Sequence, residues 1–391
     1  MNKRNKEHNH HTLSWQVRQA VLRTVQTHIP LNIQARSLDA LKAWDILIYA
    51  SVTGTSIENA CNTLADVPSG NTVRDHLNNT FSRSRLEVLA LEEELNEALR
   101  SQLPKRFFRL RPLQTFEIGL DLTELPYHGQ PDQDDNEIRR NQAKSGTTHF
   151  HTYATLTLVN HKKRYEVALT FVWADESLEK VVQRLLKQAI GMGLYIRRAY
   201  LDKGFCTREV FDVLRWHRIP YLIPIPKRGK TGGINALCKG RKSYRTTHTF
   251  YPNTDKAYTT DVILIRRKIK KRYVWVAFAC YRVDHIPLGQ IFDLYRRRFG
   301  MESGYRLMHQ TRAQTTSRNP VLRLLLVGLA LIIYNGFITL RQNGYTLRCY
   351  GNRTRRIGLT FNRLIGLMQR AIERCWNIEP VWTPSDHLSA F

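Results

Sequence analysis

From Ser37 the apolar positions of this 391-residue chain recur at helical steps. In SLDALKAWDILIYASV, Leu38, Leu41, Trp44 (or Asp45) and Ile48 fall three or four residues apart, which predicts one face of a helix. The segment SIENACNTLADVPSGNTVRDHLNN breaks at DVPSG. Ser56 is placed to cap one short helix, and a second is predicted to begin near Asn71. RLEVLALEEELNEALRSQL is amphipathic with helical period and ends at Pro104. At residue 115 the pattern changes to that of strands. TFEIGLDLT, TTHFHTYATLTLVN and KRYEVALTFVW read as strands, with a polar, acid-rich loop after the first and a hairpin turn at HK before the third. SLEKVVQRLLKQAIGMG has helical period, YIRRAYLDKGF reads as a strand, TREVFDVLRWHR as a helix and IPYLIPIP as a strand. The order β-β-β-α-β-α-β predicts a layered α/β domain.

That order is then interrupted. KRGKTGG is a basic, glycine-rich loop, and YTTDVILIRRKIKKRYVWVAFACYRV alternates like a hairpin around KIKKR. Helical character returns at Leu288, an apolar helix is predicted over 321–340, and the tail RCYGNRTRRIGLTFNRL is again basic. The chain therefore divides into an all-α region (1–110), a first α/β part (111–228), a β-rich insertion (229–283), a second core part (284–345) and a basic tail (346–391). Residues 56–80 have the outline of a helix-turn-helix, with Arg74 near the start of the second helix; two helices of an ordinary bundle would give the same pattern.

Charge narrows the class of partner. Lys and Arg number 60 against 33 Asp and Glu, a formal charge of +27, and so large an excess is usually kept for a polyanion, most often nucleic acid. The longest apolar run, Leu324–Tyr334, has eleven residues with Arg323 just before it, which argues against a membrane span. The polar N-terminus leads into no apolar signal core, and the six scattered cysteines include no CxxC pair. Both features point to a reduced, cytoplasmic protein. His8, His10 and His11 read as part of a polar tail.

Three carboxylates stand out against this basic background. Asp121 in IGLDLTELPYHG and Asp202 in RAYLDKGF each follow an apolar strand, where a buried charge needs a partner. Glu302 is the single acid in LYRRRFGMESGYRLMH, between four arginines. Taken singly, each reads as a capping Asp or an ion-paired Glu. Together, in a chain built for a polyanion, they suit hydrolysis and transfer of phosphodiesters, which is commonly done by two divalent ions held by carboxylate oxygens. On a helix, Tyr295, Arg298, Glu302, Arg306 and His309 fall at steps of three or four and share one face. Arg298 and Arg306 are then either i,i+4 partners of Glu302 or grips on phosphates beside the scissile bond. His149 and His151 alternate onto one strand face without a third ligand at matching spacing, and read as structural or as DNA contacts.

At these residues the sequence resembles the DDE transposases of bacterial and archaeal insertion sequences. Tyr295, Arg298 and Glu302 match the Tyr-x2-Arg-x3-Glu signature of one group, and LDLT and AYLDKGF resemble the blocks around its two aspartates. The β-rich insertion, which leaves 99 residues between Asp202 and Glu302, also resembles that group's. The likeness spans about residues 111–345. Related families carry a Lys seven residues after the Glu; this chain has His309, which supplies no fixed charge when neutral.

The resemblance implies a ribonuclease H-like core, and Asp121, Asp202 and Glu302 as ligands of two Mg2+ ions, with Mn2+ able to substitute. It implies cut-and-paste transposition on terminal inverted repeats and target DNA, and a homodimer in the DNA complex. Candidate DNA contacts are Tyr295, Arg298, Arg306, His309, Lys227, Arg228 and Lys230 of the basic loop, Arg74, and Trp275, which could stack on a flipped base or simply be a hairpin core residue. Two alternatives stay open: a DNA-binding protein that has lost catalysis, and a nuclease that cuts without joining.

Overall fold

The computed structural model describes residues 3–378 apart from 110–114, 131–135, 160–163, 230, 256, 271, 344 and 349–353. The side chains of 3–12, 106, 109, 302, 303, 342, 343, 345–348 and 354–357 are not part of that description. In chain order the elements begin with α1 (Lys3–His28), α2 (Ala40–Thr53), α3 (Ile57–Thr63), α4 (Gly70–Thr80), α5 (Arg85–Ser101) and α6 (Arg106–Arg109). Then come β1 (Thr115–Pro126), β2 (Arg139–Lys144), β3 (Thr147–Leu158), β4 (Glu166–Val172), α7 (Leu178–Gly191), β5 (Tyr195–Leu201), α8 (Arg208–Trp216), β6 (Tyr221–Pro224) and α9 (Ile234–Leu237). The chain continues through β7 (Tyr244–Phe250), β8 (Tyr258–Ile269), β9 (Arg272–Tyr281), α10 (Leu288–Arg296), α11 (Gly300–Gln310), α12 (Pro320–Asn343), β10 (Tyr345–Arg348), β11 (Thr354–Ile357) and α13 (Phe361–Trp376).

These elements form two compact units, one of Met1–Gln102 with Arg306–Phe391 and one of Leu103–Tyr305. The grouping changes at 102/103 and 305/306, where the sequence reading set boundaries at 110, 228, 283 and 345. Residues 306–345, read from the sequence as core of the α/β domain, group with the N-terminal helices because α12 buries its apolar surface against α1, α2 and α5. Pro320–Arg341 is long and apolar enough to cross a membrane, with a mean hydropathy of 2.2 over an 18-residue window, but that window is wholly buried in the protein. Asp45, fully buried on apolar α2, is neutralised by Arg18 of α1, whose Nε donates to Oδ1 at 2.8 Å, and accepts from Trp376 Nε1 of α13 at 2.8 Å.

Within the same unit, Ser56 accepts from the Asn59 N–H at 3.2 Å and Ser69 from the Thr72 N–H at 3.3 Å, so both helices of the helix-turn-helix outline are capped at their N-termini. Gly70 is needed where α4 meets α3, since a Cβ there would lie 2.6 Å from Glu58 Cα. Arg74 is exposed on α4, beside Asn71 and 3.9 Å from Glu58.

The α/β unit is built on one mixed sheet. β1 runs antiparallel to β3 and parallel to β5, β5 runs parallel to β6, and β9, β8 and β7 continue from β6 by antiparallel pairing. The far edge of β3 is shared: β2 takes Thr147–Phe150 and β4 takes Thr152–Thr157. Strand β2, RRNQAK, lies in the stretch read from the sequence as a polar loop; it is almost wholly exposed, so no apolar alternation marks it. β7–β9 extend the core sheet through the pairing of Tyr221–Pro224 with Phe278–Tyr281.

One buried acid makes this unit pH-sensitive. Glu166 opens β4 at 2% exposure, accepts from Thr157 Oγ1 at 2.6 Å, and is pushed by its burial up to about 7. A carboxyl raised in the folded state binds its proton more tightly there than in the unfolded chain. Stability should therefore fall as pH rises from about 4.5 through 7, by on the order of a few kcal/mol. Chemical denaturation across that range should show the fall in the wild type and a flatter profile in Glu166→Gln. Equal profiles would mean that Glu166 stays charged when buried.

Candidate active site

The parting of two strands brings Asp121 and Asp202 together. β1 and β5 are paired in parallel up to Leu120 and Leu201, and the pairing stops there. Asp121, still on β1, and Asp202, just past the end of β5, are the next residues. Asp121 does not close its strand, as the sequence suggested, because β1 continues to Pro126 on its other side against β3. Asp202 precedes a 3-10 turn (Lys203–Phe205) but makes no side-chain capping bond, which removes the capping explanation for it.

One guanidinium joins the two carboxylates. Arg298 Nη1 donates to Asp121 Oδ2 at 2.9 Å and Nη2 to Asp202 Oδ1 at 3.2 Å. Its Nε donates to the Tyr295 hydroxyl at 3.1 Å, and that hydroxyl donates to the Leu201 carbonyl at 3.3 Å. Both side chains were candidate DNA contacts, Arg298 also an i,i+4 partner of Glu302. Tyr295 is 4% exposed and Arg298 5%, because each completes the hydrogen bonding of strand ends that would otherwise be charged and unpaired. Burial pushes Asp121 up to about 6 against the pull of Arg298, and the charge of Asp202 adds to the rise. Burial also works against the charged guanidinium, but Asp121, Tyr295 and Asp202 outweigh it and raise its pKa.

Beneath this pair lies an ionic cluster that the sequence reading passed over. Glu117 of β1 accepts from Arg198 of β5 at 3.1 Å and from Arg297 at 2.6 Å, and Arg198 also reaches the Tyr200 hydroxyl at 3.2 Å. Glu117 and Arg198 are 4% and 3% exposed. The signal was present: Glu117 interrupts TFEIGL and Arg198 interrupts YIRRAYL, each a charge inside an apolar strand. Arg297 ties the segment before α11 to β1, next to Arg298.

Helix α11 is fixed on both sides of Glu302. Met301, fully buried, lies over Gly119 of β1, and the Tyr305 hydroxyl bonds Thr155 Oγ1 of β3 at 2.6 Å. Thr155 is the β3 partner of Asp121. The backbone of Glu302 is therefore anchored to the same strands as Asp121, while its side chain lies outside the described residues. A Cβ at Gly119 would overlap the Met301 sulfur. Gly119→Ala should shift the start of α11, cost about 1–3 kcal/mol by overpacking and lower turnover by roughly a hundredfold. Single-turnover kinetics beside thermal melts would check this, and unchanged turnover would show that Met301 absorbs the methyl.

Within the α/β unit, Lys227, Arg228 and Trp275 take no part in this hydrogen-bonded cluster. Lys227 and Arg228 are exposed, with Lys227 Nζ donating to the Trp275 carbonyl at 2.6 Å. Lys230 lies outside the described residues. Trp275 is half-buried and packs edge-on against Tyr244, with centroids 6.0 Å apart. Arg306 and His309 belong to the helical unit and are exposed; partial enclosure of the His309 ring and the neighbouring Arg312 lower its pKa and favour neutral imidazole. His151 is fully buried, which removes it as a DNA contact.

The oxygen donors of Asp121 and Asp202, close enough to share one cation, are of the kind that bind Mg2+ or Mn2+. Among the described residues no group of three or more His, Cys, Asp or Glu side chains forms a preassembled metal site.

The family described as transposase DDE domain matches residues 118–335, more than half of the chain, and the chain belongs to that family. Among solved structures it is similar to a piggyBac transposase, in a cryo-EM structure of the synaptic complex with hairpin DNA, at 10% identity. That match covers 95% of this chain and 83% of the other with a TM-score of 0.51, a likeness of fold alone. The C-terminal lobe of a budding yeast Argonaute matches at 11% identity over 82% of this chain and 66% of the other, with a TM-score of 0.21, too low to carry a structural argument. No curated protein matches the chain.

Proposed function

We propose that this protein is the DNA transposase of a prokaryotic insertion sequence, with a ribonuclease H-like core that cuts DNA at the element's ends and joins them to a target. The observation that carries this is the delivery of Asp121 and Asp202, from the ends of one parallel strand pairing, to the two sides of a single cation in a DDE family chain. The sheet path β4-β3-β1-β5-β6, antiparallel on one side of β1 and parallel on the other, supports the ribonuclease H-like assignment.

In this reading Asp121, Asp202 and Glu302 would hold the divalent ions. Such ions, when bound, activate the attacking oxygen and stabilise the leaving oxygen of an in-line displacement. Asp121 is suited to that place by its burial: its Oδ1 is fixed by the Leu122 N–H at 3.0 Å, which leaves Oδ2 as the oxygen that faces a cation. Glu117, through Arg297, and Tyr305, through Thr155, hold the helix of Glu302 against the strands that carry the aspartates. The first displacement uses water and frees a 3′-hydroxyl at the element end; the second uses that hydroxyl on target DNA, with no covalent protein intermediate.

The basic loop at Lys227 and Arg228, the exposed Lys268, Lys270 and Arg272 of the β8–β9 hairpin, and Arg74 on α4 supply the positive surface for DNA. We place the work in the cytoplasm, on DNA in the nucleoid, by a homodimer. The similar solved structure holds hairpin DNA, which makes a hairpin at the excised end the product to look for. Purified protein, Mg2+ and DNA carrying the element's inverted repeats should yield nicks, then joined products. Nicks without joining would leave a nuclease, and end binding without nicks would leave a DNA-binding protein.

A further inference from the structure

We propose that Arg298 is a built-in counter-cation of the aspartate pair, and that a divalent ion reaches Asp121 and Asp202 only by displacing its guanidinium. This rests on the reading of the two aspartates as metal ligands.

The guanidinium is placed as a wedged cation would be. An arginine meeting one carboxylate usually presents two parallel N–H groups to its two oxygens. Arg298 instead splits its fork, giving Nη1 to Asp121 and Nη2 to Asp202, so a single positive charge lies between two negative ones. Of the Asp121 oxygens, Oδ1 is already engaged by the Leu122 N–H, and Oδ2 is the one that Arg298 takes. The two oxygens that face each other across the pair, Asp121 Oδ2 and Asp202 Oδ1, are therefore the ones that the guanidinium occupies. A dication and a buried guanidinium within reach of the same two oxygens repel each other and compete for the same ligands.

Arg298 cannot escape this competition by losing its proton, because a guanidinium stays charged in proteins. It must move, and it is held: its side chain is 7% exposed, and its Nε is tied through the Tyr295 hydroxyl to the carbonyl of Leu201, the residue before Asp202. The device offsets part of the repulsion between two close carboxylates and keeps the strand ends in register whenever no divalent ion is bound. Its cost is weaker metal binding than the bare carboxylates would give. Arg298 lies two residues before α11, so its release also loosens the segment that leads into the Glu302 helix.

Metal binding separates this from a purely structural role. Mn2+ affinity of the full-length protein without DNA would be measured by electron paramagnetic resonance of the free ion, with thermal melts alongside. Arg298→Gln should bind Mn2+ about tenfold more tightly than the wild type or better, since a neutral amide does not compete for the carboxylates. Without metal it should melt several degrees lower, and Mn2+ should restore most of that loss. Tyr295→Phe, which keeps the ring packing and removes only the hydroxyl that holds Nε, should raise Mn2+ affinity by a smaller factor; it supplies a second variant if Arg298→Gln does not fold. An added Asp121→Asn should abolish both gains, which assigns them to this pair rather than to the N-terminal histidines. Affinity that does not rise in either variant overturns the proposal while leaving the metal site intact. No saturable Mn2+ binding in the wild type or any variant overturns the metal-ligand reading and this proposal with it.

Discussion

If Asp121 is a metal ligand, as proposed, Asp121→Asn should lower both DNA cleavage and strand joining by roughly a thousandfold or more, since it removes the charge on which several kcal/mol of metal-assisted stabilisation would depend. The change is almost isosteric, and the fold has reason to tolerate it. The amide oxygen can still accept from the Leu122 N–H, and losing a carboxylate that burial has pushed up to about 6 relieves a desolvation cost. Against that, Arg298 keeps only Asp202 as a charged partner. The two effects oppose each other, so melting temperature should move little while chemistry is lost. On the proposed function, binding of end DNA should be unchanged or tighter, because one negative charge has been removed. Asp202→Asn should lose activity to a similar extent with even less effect on melting, since that side chain is 38% exposed against 16% for Asp121. A gel assay of labelled end fragments, with binding measured in parallel, decides the matter. Cleavage within tenfold of the wild type would remove Asp121 from the site.

Much of the α/β unit could be read from the chain because its strands carry runs of buried, largely apolar or β-branched residues. β1, β3, β4, β5 and β6 announce themselves by such runs. The two aspartates stood out because each interrupts or follows one of them. What the sequence could not supply was where the pairing of β1 with β5 stops. Register depends on contacts between segments some 80 residues apart, and it is this register that puts Asp121 next to Asp202. β2 was invisible for the opposite reason: an exposed edge strand needs no apolar residues.

The helical spacing of Tyr295, Arg298 and Glu302 was legible, but the contacts that the first two make with the strand ends and the aspartates were not. Spacing says which side chains share a face; it does not say whether that face looks to solvent or to a strand end. Here a short 3-10 turn (Arg297–Phe299) separates α10 from α11, and Arg298 turns inward to the aspartates. The segregation of 306–345 with the N-terminal helices was likewise hidden. An apolar helix such as α12 records that it is buried and not by which partners.

The largest loss of stability is expected from Glu117→Leu, and it should exceed the loss from Arg198→Leu. Removing one partner of a buried ion pair typically costs about 3–5 kcal/mol, because the other charge is left without compensation. Glu117 serves two arginines. Without it, Arg198 at 3% exposure keeps only the Tyr200 hydroxyl among the partners described above, while Arg297, whose side chain is 40% exposed, can turn toward water. Without Arg198, Glu117 keeps Arg297 at 2.6 Å, so its charge remains paired. The order follows from which ion is stranded, not from the size of the side chain removed. Glu117→Leu should carry a second consequence that Arg198→Leu lacks. It frees Arg297, the residue that ties the segment before α11 to β1, and so should lower turnover as well as stability. Urea denaturation of both variants, with single-turnover cleavage measured well below their midpoints, separates the two effects. Equal destabilisation, or a more severe loss in Arg198→Leu, would show that the buried arginine and not the shared glutamate holds this cluster together.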